Sequence, residues 1–394
     1  MIGLIKPLQQ LRNRTSLGWL QLSHDKGRML VAVAGIAFAD VLMFMQLGFQ
    51  NALYSSTTRL HQSLQADIIL INPQARNFQN LSSFPRRRLY QAMNVPGVKS
   101  ADRLYVRNAN WKNPQTRQET LILVLGFNPD RPAFALPEVN QNLSAIKLPD
   151  TVLFDRASRG NYRESIAQIN QGKSVKTELD RRTITIDGLF TVGASFGADG
   201  SLMTSDQNYL RLFPRQDAAS VNAGLIQLQP SADLVEVQQV LKAYLPQDVK
   251  VLTKQEFIEF EKSYWANNTS IGFIFTLGVG MGFVVGVIIV YQVLSTDVSD
   301  HMAEYATFKA MGYRNIYLLG IVFEEAIILS ILGFFPGVGV SVGLYHLTRQ
   351  ATNLPLYMTI GRALAVLILN IVMCSISGAI ATRKLQAADP ADIF

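Results

Sequence analysis

Four runs of this sequence are long and apolar enough to cross about 30 Å of hydrocarbon, and no other feature limits the fold as much. They cover 29–49 ("MLVAVAGIAFADVLMFMQLGF"), 271–294, 316–347 and 363–381. Lipid supplies no hydrogen bonds, so such runs must satisfy their own backbone, and the expected form is a helix. The first run is too long for the core of a cleavable signal, and no small-residue cleavage site follows it. The chain has 48% hydrophobic and 16% charged residues, against about 25% charged in soluble domains. The expected class is therefore an α-helical membrane protein with four transmembrane helices. Between the first and second lies 50–270, a stretch without such a run that must fold as a domain of its own.

Lys and Arg near the runs set the orientation. Lys6, Arg12, Arg14, Lys26 and Arg28 precede the first run; Lys309 and Arg314 lie in 295–315, and Arg383 and Lys384 in the tail 382–394. The loop 348–362 on the other side holds only Arg349 and Arg362. Both termini and 295–315 are expected in the cytoplasm, with 50–270 on the outer side of the membrane. Residues 1–28 mix Leu, Ile and Trp19 with basic residues and predict an amphipathic elbow helix in the inner interface.

The outer segment reads as α+β. "NALYSSTTRLHQSLQ" extends the first span as a helical stalk, and "TKQEFIEFEKSYW" is a second stalk that leads into the second span. "ADIILI", "RLYVRNANW", "ETLILVLGF", "RRTITIDGLFTV" and "AGLIQLQ" read as strands, the second and third joined by a turn at "KNPQT". "SADLVEVQQVLKAYL" reads as a helix capped by Ser231.

Several functions are disfavoured. The sole cysteine, Cys374, lies in an apolar run, and His24, His61, His301 and His346 are far apart. No metal, cofactor or catalytic site is expected. The net charge of +7 is dispersed. Its densest cluster, "PRRR" at 85–88, reads as an exposed turn, and nothing suggests nucleic acid. "GASFG" at 193–197 fits a nucleophile elbow, but "ADGSLMTS" after it is loop-like and no histidine base is near in sequence. "GKS" at 172–174 has Ala167 where a P-loop needs glycine.

Inside the runs, Asp40, Glu324 and Glu325 are ionisable residues at depths where charge is expensive. They read either as a proton relay or as polar groups that bond neighbouring helices. Gly278, Gly282 and Gly286 in the second run, and Gly333, Gly337, Gly339 and Gly343 in the third, form small-residue faces for close helix packing, within the chain or with a second copy.

Five segments together carry a family resemblance: 30–54, "GASFGADGSL" at 193–202, "ATFKAMGY" at 306–313, "EEAIILSILGFFPG" at 324–337 and the terminal "KLQAADPADIF". The chain resembles the MacB/FtsX/LolC-type permeases of ABC transporters, and most closely the DevC-type permeases of cyanobacterial glycolipid exporters. The resemblance implies a homodimer driven by a separate, DevA-like ABC ATPase that binds the ATP and Mg. It implies outer-domain motion that drives export through a DevB-like periplasmic adaptor and a TolC-like outer-membrane channel, with a lipid or glycolipid as substrate. This chain has no fused ATPase, so the motor is expected in trans.

The resemblance also makes 295–315 the coupling helix that presses into the ATPase. The residues fit: Asp297, Ser299 or Asp300 can cap a helix. Met302, Ala306 and Ala310 recur at four-residue spacing beside Tyr305 and Phe308, and Gly312 can end the helix. Asp300, Met302, Glu304, Tyr305, Ala306, Phe308, Lys309 and Gly312 are the expected coupling residues. Two other readings stay open: an FtsX-like regulator of a periplasmic enzyme and a LolC-like lipoprotein-release subunit. A proton-driven carrier using Asp40 and Glu325 is disfavoured by four spans without an inverted repeat.

Overall fold

A computed structural model describes residues 17–383. Most of the expected elbow (1–16) and the tail (384–394) lie outside the described residues. The chain divides into a membrane unit (1–50, 273–347 and 356–394) and an outer unit (51–272 with 348–355).

The membrane unit contains α1 (Leu17–His24) and the four helices long and apolar enough to span: α2 (Lys26–Ser63), α9 (Ser270–Asp300), α11 (Asn315–Thr352) and α12 (Ile360–Ala381). Each helix outruns the apolar run that announced it, α12 at its start only. First span and stalk form one helix, because the polar stretch after Phe49 keeps its helical residues and meets no glycine or proline. Residues 348–352 continue α11 instead of forming loop. Thr359 caps α12 by accepting the Arg362 N–H, so the helix begins at Ile360, three residues before the expected start. The core joins Ala32, Ile36 and Ala39 of α2, Val290 and Leu294 of α9, Val322 and Leu329 of α11, and Met373 of α12.

The outer unit is built on one sheet of nine strands in the order β11-β1-β10-β3-β4-β8-β5-β7-β6. These are β1 (Ile68–Ile71), β3 (Val98–Lys112), β4 (Glu119–Phe127), β5 (Thr151–Asp155), β6 (Val175–Leu179), β7 (Arg182–Phe190), β8 (Ser201–Ser205), β10 (Ala223–Leu228) and β11 (Lys250–Thr253). A separate pair joins β2 (Phe84–Pro85) to β9 (Ser220–Val221). The end of β3 also pairs with β6 at Trp111↔Leu179, so the last six strands curl back on themselves. Trp111 is fully buried at that closure, stacked on Phe154 with centroids 5.4 Å apart and donating to the Tyr162 hydroxyl.

Both faces of the sheet are covered. Along β1, Ile68 and Leu70 enter one core and Ile69 and Ile71 the other, which is the two-residue period of a strand. The flanking helices are α3 (Arg87–Met93), α4 (Pro137–Gln141), α5 (Arg163–Asn170), α6 (Asp206–Leu212), α7 (Leu234–Tyr244) and α8 (Lys254–Asn267). Asp233, not Ser231, caps α7: it accepts from both Val235 and Glu236 N–H groups, and its side chain stands one residue from the first turn. Thr253 and Glu256 form a reciprocal capping box at the start of α8.

The "GASFG" stretch is a turn between β7 and β8. The Ser195 hydroxyl accepts from the Gly197 and Ala198 N–H groups, so it is committed to the turn, and β8 follows where an elbow needs a helix. Asp155 anchors the loop. Its buried carboxylate accepts from the Val192, Gly193 and Ala157 N–H groups and from the Ser201 hydroxyl. Burial pushes this carboxyl above its ordinary value, and the four donors pull it back.

Candidate functional site

The segment between α9 and α11 begins where α9 stops. His301 leaves helical geometry (φ −94°, ψ 14°), and α10 (Met302–Ala310) follows directly. None of Asp297, Ser299 and Asp300 caps α10. They belong to α9, and the Ser299 hydroxyl donates to the Ser295 carbonyl. The reason is continuity: the His301 N–H still reaches the Asp297 carbonyl and the Tyr305 N–H reaches the His301 carbonyl, which leaves fewer orphan donors than a fresh helix start. Asp300 instead pairs with Arg28 of α2 at 2.6 Å, and Arg28 also meets Asp25 at 3.5 Å.

Gly312 ends the element. At φ +90° it takes a left-handed conformation that a side chain would strain. Its N–H bonds the Lys309 carbonyl and the Tyr313 N–H bonds the Phe308 carbonyl, the paired closure of a Schellman motif.

The two sides of α10 have different partners. Tyr305 and Ala306 are 1% and 4% exposed, and Tyr305 packs with Val298, Leu318, Ile321 and Val322 of the chain's own core. Met302 and Phe308 lean on the same core. The apolar stripe in the sequence is therefore mostly spent on internal packing, and Tyr305 and Ala306 are not available to a partner. The outward side carries Ala303, Glu304, Thr307 and Ala310. It continues into Met311, Tyr313 and Ile316, which are 60%, 46% and 76% exposed. Met311, Tyr313 and Ile316 escaped the sequence reading because they lie past the helix stop, outside its period. Their signal was three large apolar residues bunched around a polar turn.

Of the acids in the spans, Asp40 is buried and accepts from the Asn370 amide at 2.9 Å, and the same amide donates to the Ser330 carbonyl. This knot ties α2, α11 and α12. Asn370 and Ser330 were not singled out in the sequence, because a lone amide or hydroxyl in an apolar run has no spacing to mark it. Glu324 is exposed and Glu325 fully buried, with Gly18 of α1 against its Cγ.

The glycine faces divide too. A Cβ on Gly278 would meet Gln46, one on Gly282 would meet Met43 and Leu42, and one on Gly286 would stand 2.0 Å from the Met373 sulfur. Gly333 and Gly337 meet Ile36 and Asp40 in the same way. Gly339 and Gly343 face open space. Gly286→Leu is expected to destabilise the purified membrane unit by about 1–3 kcal/mol through overpacking, whereas Gly343→Leu leaves its thermal midpoint in detergent nearly unchanged.

Among the described residues no group of His, Cys, Asp and Glu could hold a metal ion. Residues 276–390 match the family model for the FtsX-like permease C-terminal region. That match spans α10 and most of the last three apolar helices, and it likens this part of the chain to FtsX-like permeases. No curated protein matches the chain in sequence. Three solved domains show weak likeness. The periplasmic region of MacB from Actinobacillus actinomycetemcomitans shares 8% identity over 49% of this chain and 91% of its own, with a TM-score of 0.33. The extracellular domain of the noncanonic ABC-type transporter YknZ from Gram-positive bacteria shares 14% over 48% and 100%, with a TM-score of 0.29. A domain of a putative permease from Porphyromonas gingivalis shares 16% over 49% and 89%, also with a TM-score of 0.29.

Proposed function

We propose that this chain is the permease subunit of an ATP-driven export machine in a bacterial inner membrane. It works as a homodimer, takes its power from a separate ABC ATPase, and transmits that power to a periplasmic domain. Both termini and α10 then face the cytoplasm. The observation that carries the reading is the outward side of α10. A short helix closed by a Schellman turn is anchored through Tyr305 and Ala306. It presents Glu304, Thr307, Met311 and Tyr313 on the opposite side. That is a helix held rigidly from behind with a free recognition face, the form of helix-in-groove docking. The family match over 276–390 includes this element.

In this reading the coupling residues are Glu304, Thr307, Met311 and Tyr313, with Lys309 and Gly312 at the helix end. Tyr305, Ala306, Met302 and Phe308 act from behind as the anchor, and Asp300 fixes the start of the element to α2. Gly339 and Gly343 offer a surface to the second copy. Export of a glycolipid or other lipid through an adaptor and a TolC-like channel extends the same reading.

The test is co-purification of the full-length chain with its ATPase. The double variant Glu304→Lys with Met311→Asp is expected to lower ATPase retention at least tenfold while the membrane protein keeps its wild-type thermal midpoint. Full retention by this variant would contradict the assignment.

A further inference from the structure

One pair of buried acids has no role in docking. Asp297, one turn from the end of α9, is 5% exposed, and Glu325 of α11 is fully buried. Their carboxyl groups meet within hydrogen-bonding reach. Among the described residues neither Glu325 oxygen, nor Asp297 Oδ2, finds a hydrogen-bond donor. Two ionised carboxylates cannot share so small a buried space, because each lacks water and faces the other's charge. When two such groups touch with no donor between them, the missing donor is a proton on one of them.

We propose that Asp297 and Glu325 form a proton-binding site that holds one proton shared between the two carboxyl groups and ties the cytoplasmic end of α9 to α11.

The surroundings fit one residual negative charge. His301 places Nδ1 3.6 Å from Asp297 Oδ1 and 3.0 Å from the Asp297 carbonyl. Arg28 of α2 lies near Asp297, but its guanidinium is engaged by Asp300 and Asp25. Glu324 and Asp300 add negative charge from α11 and α9. From α1, Gly18 fits against Glu325 because it has no side chain. The ionisable residues of α12 are engaged elsewhere: Arg362 donates to the Tyr357 carbonyl and Cys374 to the Asn370 side chain. Among the described residues no cation pairs with the Glu325 carboxyl, and a proton between the two groups would make their contact attractive.

The consequence rests on the coupling role proposed above. Asp297 lies four residues before His301, where α9 gives way to α10, so any force entering at α10 pulls on this pair. Separating the carboxyls would expose one to ionisation, and rejoining them would take the proton back.

The proton itself is tested without the ATPase. In the infrared spectrum of the full-length chain in lipid nanodiscs at neutral pH, the protonated-carboxyl carbonyl band should shrink by one group in Glu325→Gln, with Asp40→Asn recorded to separate the other buried acid. An unchanged band in Glu325→Gln would overturn the proposal. Unfolding provides a second measurement if that variant folds poorly. The native state holds a proton the unfolded state releases, so stability should fall as pH rises, by up to about tenfold in the folding constant per unit. In an Asp40→Asn background Asp297→Asn should flatten that alkaline slope, and a slope unchanged from that background would also overturn the site. If the proton is present but ATP turnover by the complex moves none, the site stands and its coupling role fails.

Discussion

Glu261→Ala is expected to cost the outer domain about 3–5 kcal/mol, because it removes the common partner of three buried groups. Glu261 is 2% exposed on α8. One oxygen accepts the Trp265 indole N–H at 2.8 Å, and the other accepts the Phe78 N–H at 2.7 Å and stands 3.6 Å from His61 Nε2. His61, fully buried on α2, lies between the Phe78 and Phe257 rings with both centroids 4.6 Å away. The cluster joins the two stalk helices to the loop 72–83. Without the carboxylate, the indole and the Phe78 N–H are left as unpaired buried donors. Glu261→Gln keeps one acceptor and turns an amide toward the other donor, so it should cost less. Thermal or chemical unfolding followed by tryptophan fluorescence gives the order wild type, Gln, Ala; Ala variants as stable as wild type would refute the role of Glu261.

Ala306→Arg is expected to cost more than about 4 kcal/mol and to abolish the folded membrane unit, because it drives a cation into a packed apolar site. Thr307→Arg, one residue on, turns outward and should leave folding intact while weakening ATPase binding by at least tenfold. Size-exclusion profiles and detergent thermal midpoints of the two variants separate them. Equal tolerance of both substitutions would mean that α10 is not seated on its own core. The contrast matters because sequence alone put Ala306 on the recognition stripe.

The division of α10 into a seated and an outward side shows what the sequence could and could not reveal. The spans were legible because lipid imposes length and hydropathy on each helix separately, and Gly312 was legible because only glycine suits its backbone. Strands such as "ETLILVLGF" announced themselves by β-branched residues between turns. β5, β6, β8 and β11 did not: they are short, and "TVLFD" and "SLMTS" are buried on both faces and so show no alternation. The stripe on α10 was read correctly as apolar, but periodicity cannot say whether a buried face meets the same chain or another one. The contact between Asp297 and Glu325 is 28 residues apart in sequence, and only the packing of α9 on α11 brings it together. His61 and Glu261 are invisible for the same reason.

The central claim is that force entering at α10 moves the outer domain. It is tested most directly by electron–electron distance measurement on the homodimer reconstituted with its ATPase, with a spin label at Tyr244→Cys, an exposed position on α7. The account predicts that trapping the ATPase in its ATP-bound state shifts the distance distribution between the two labels, and that Glu304→Lys with Met311→Asp abolishes the shift. A distribution that stays the same through ATP binding and hydrolysis, in a complex that turns ATP over, would contradict it.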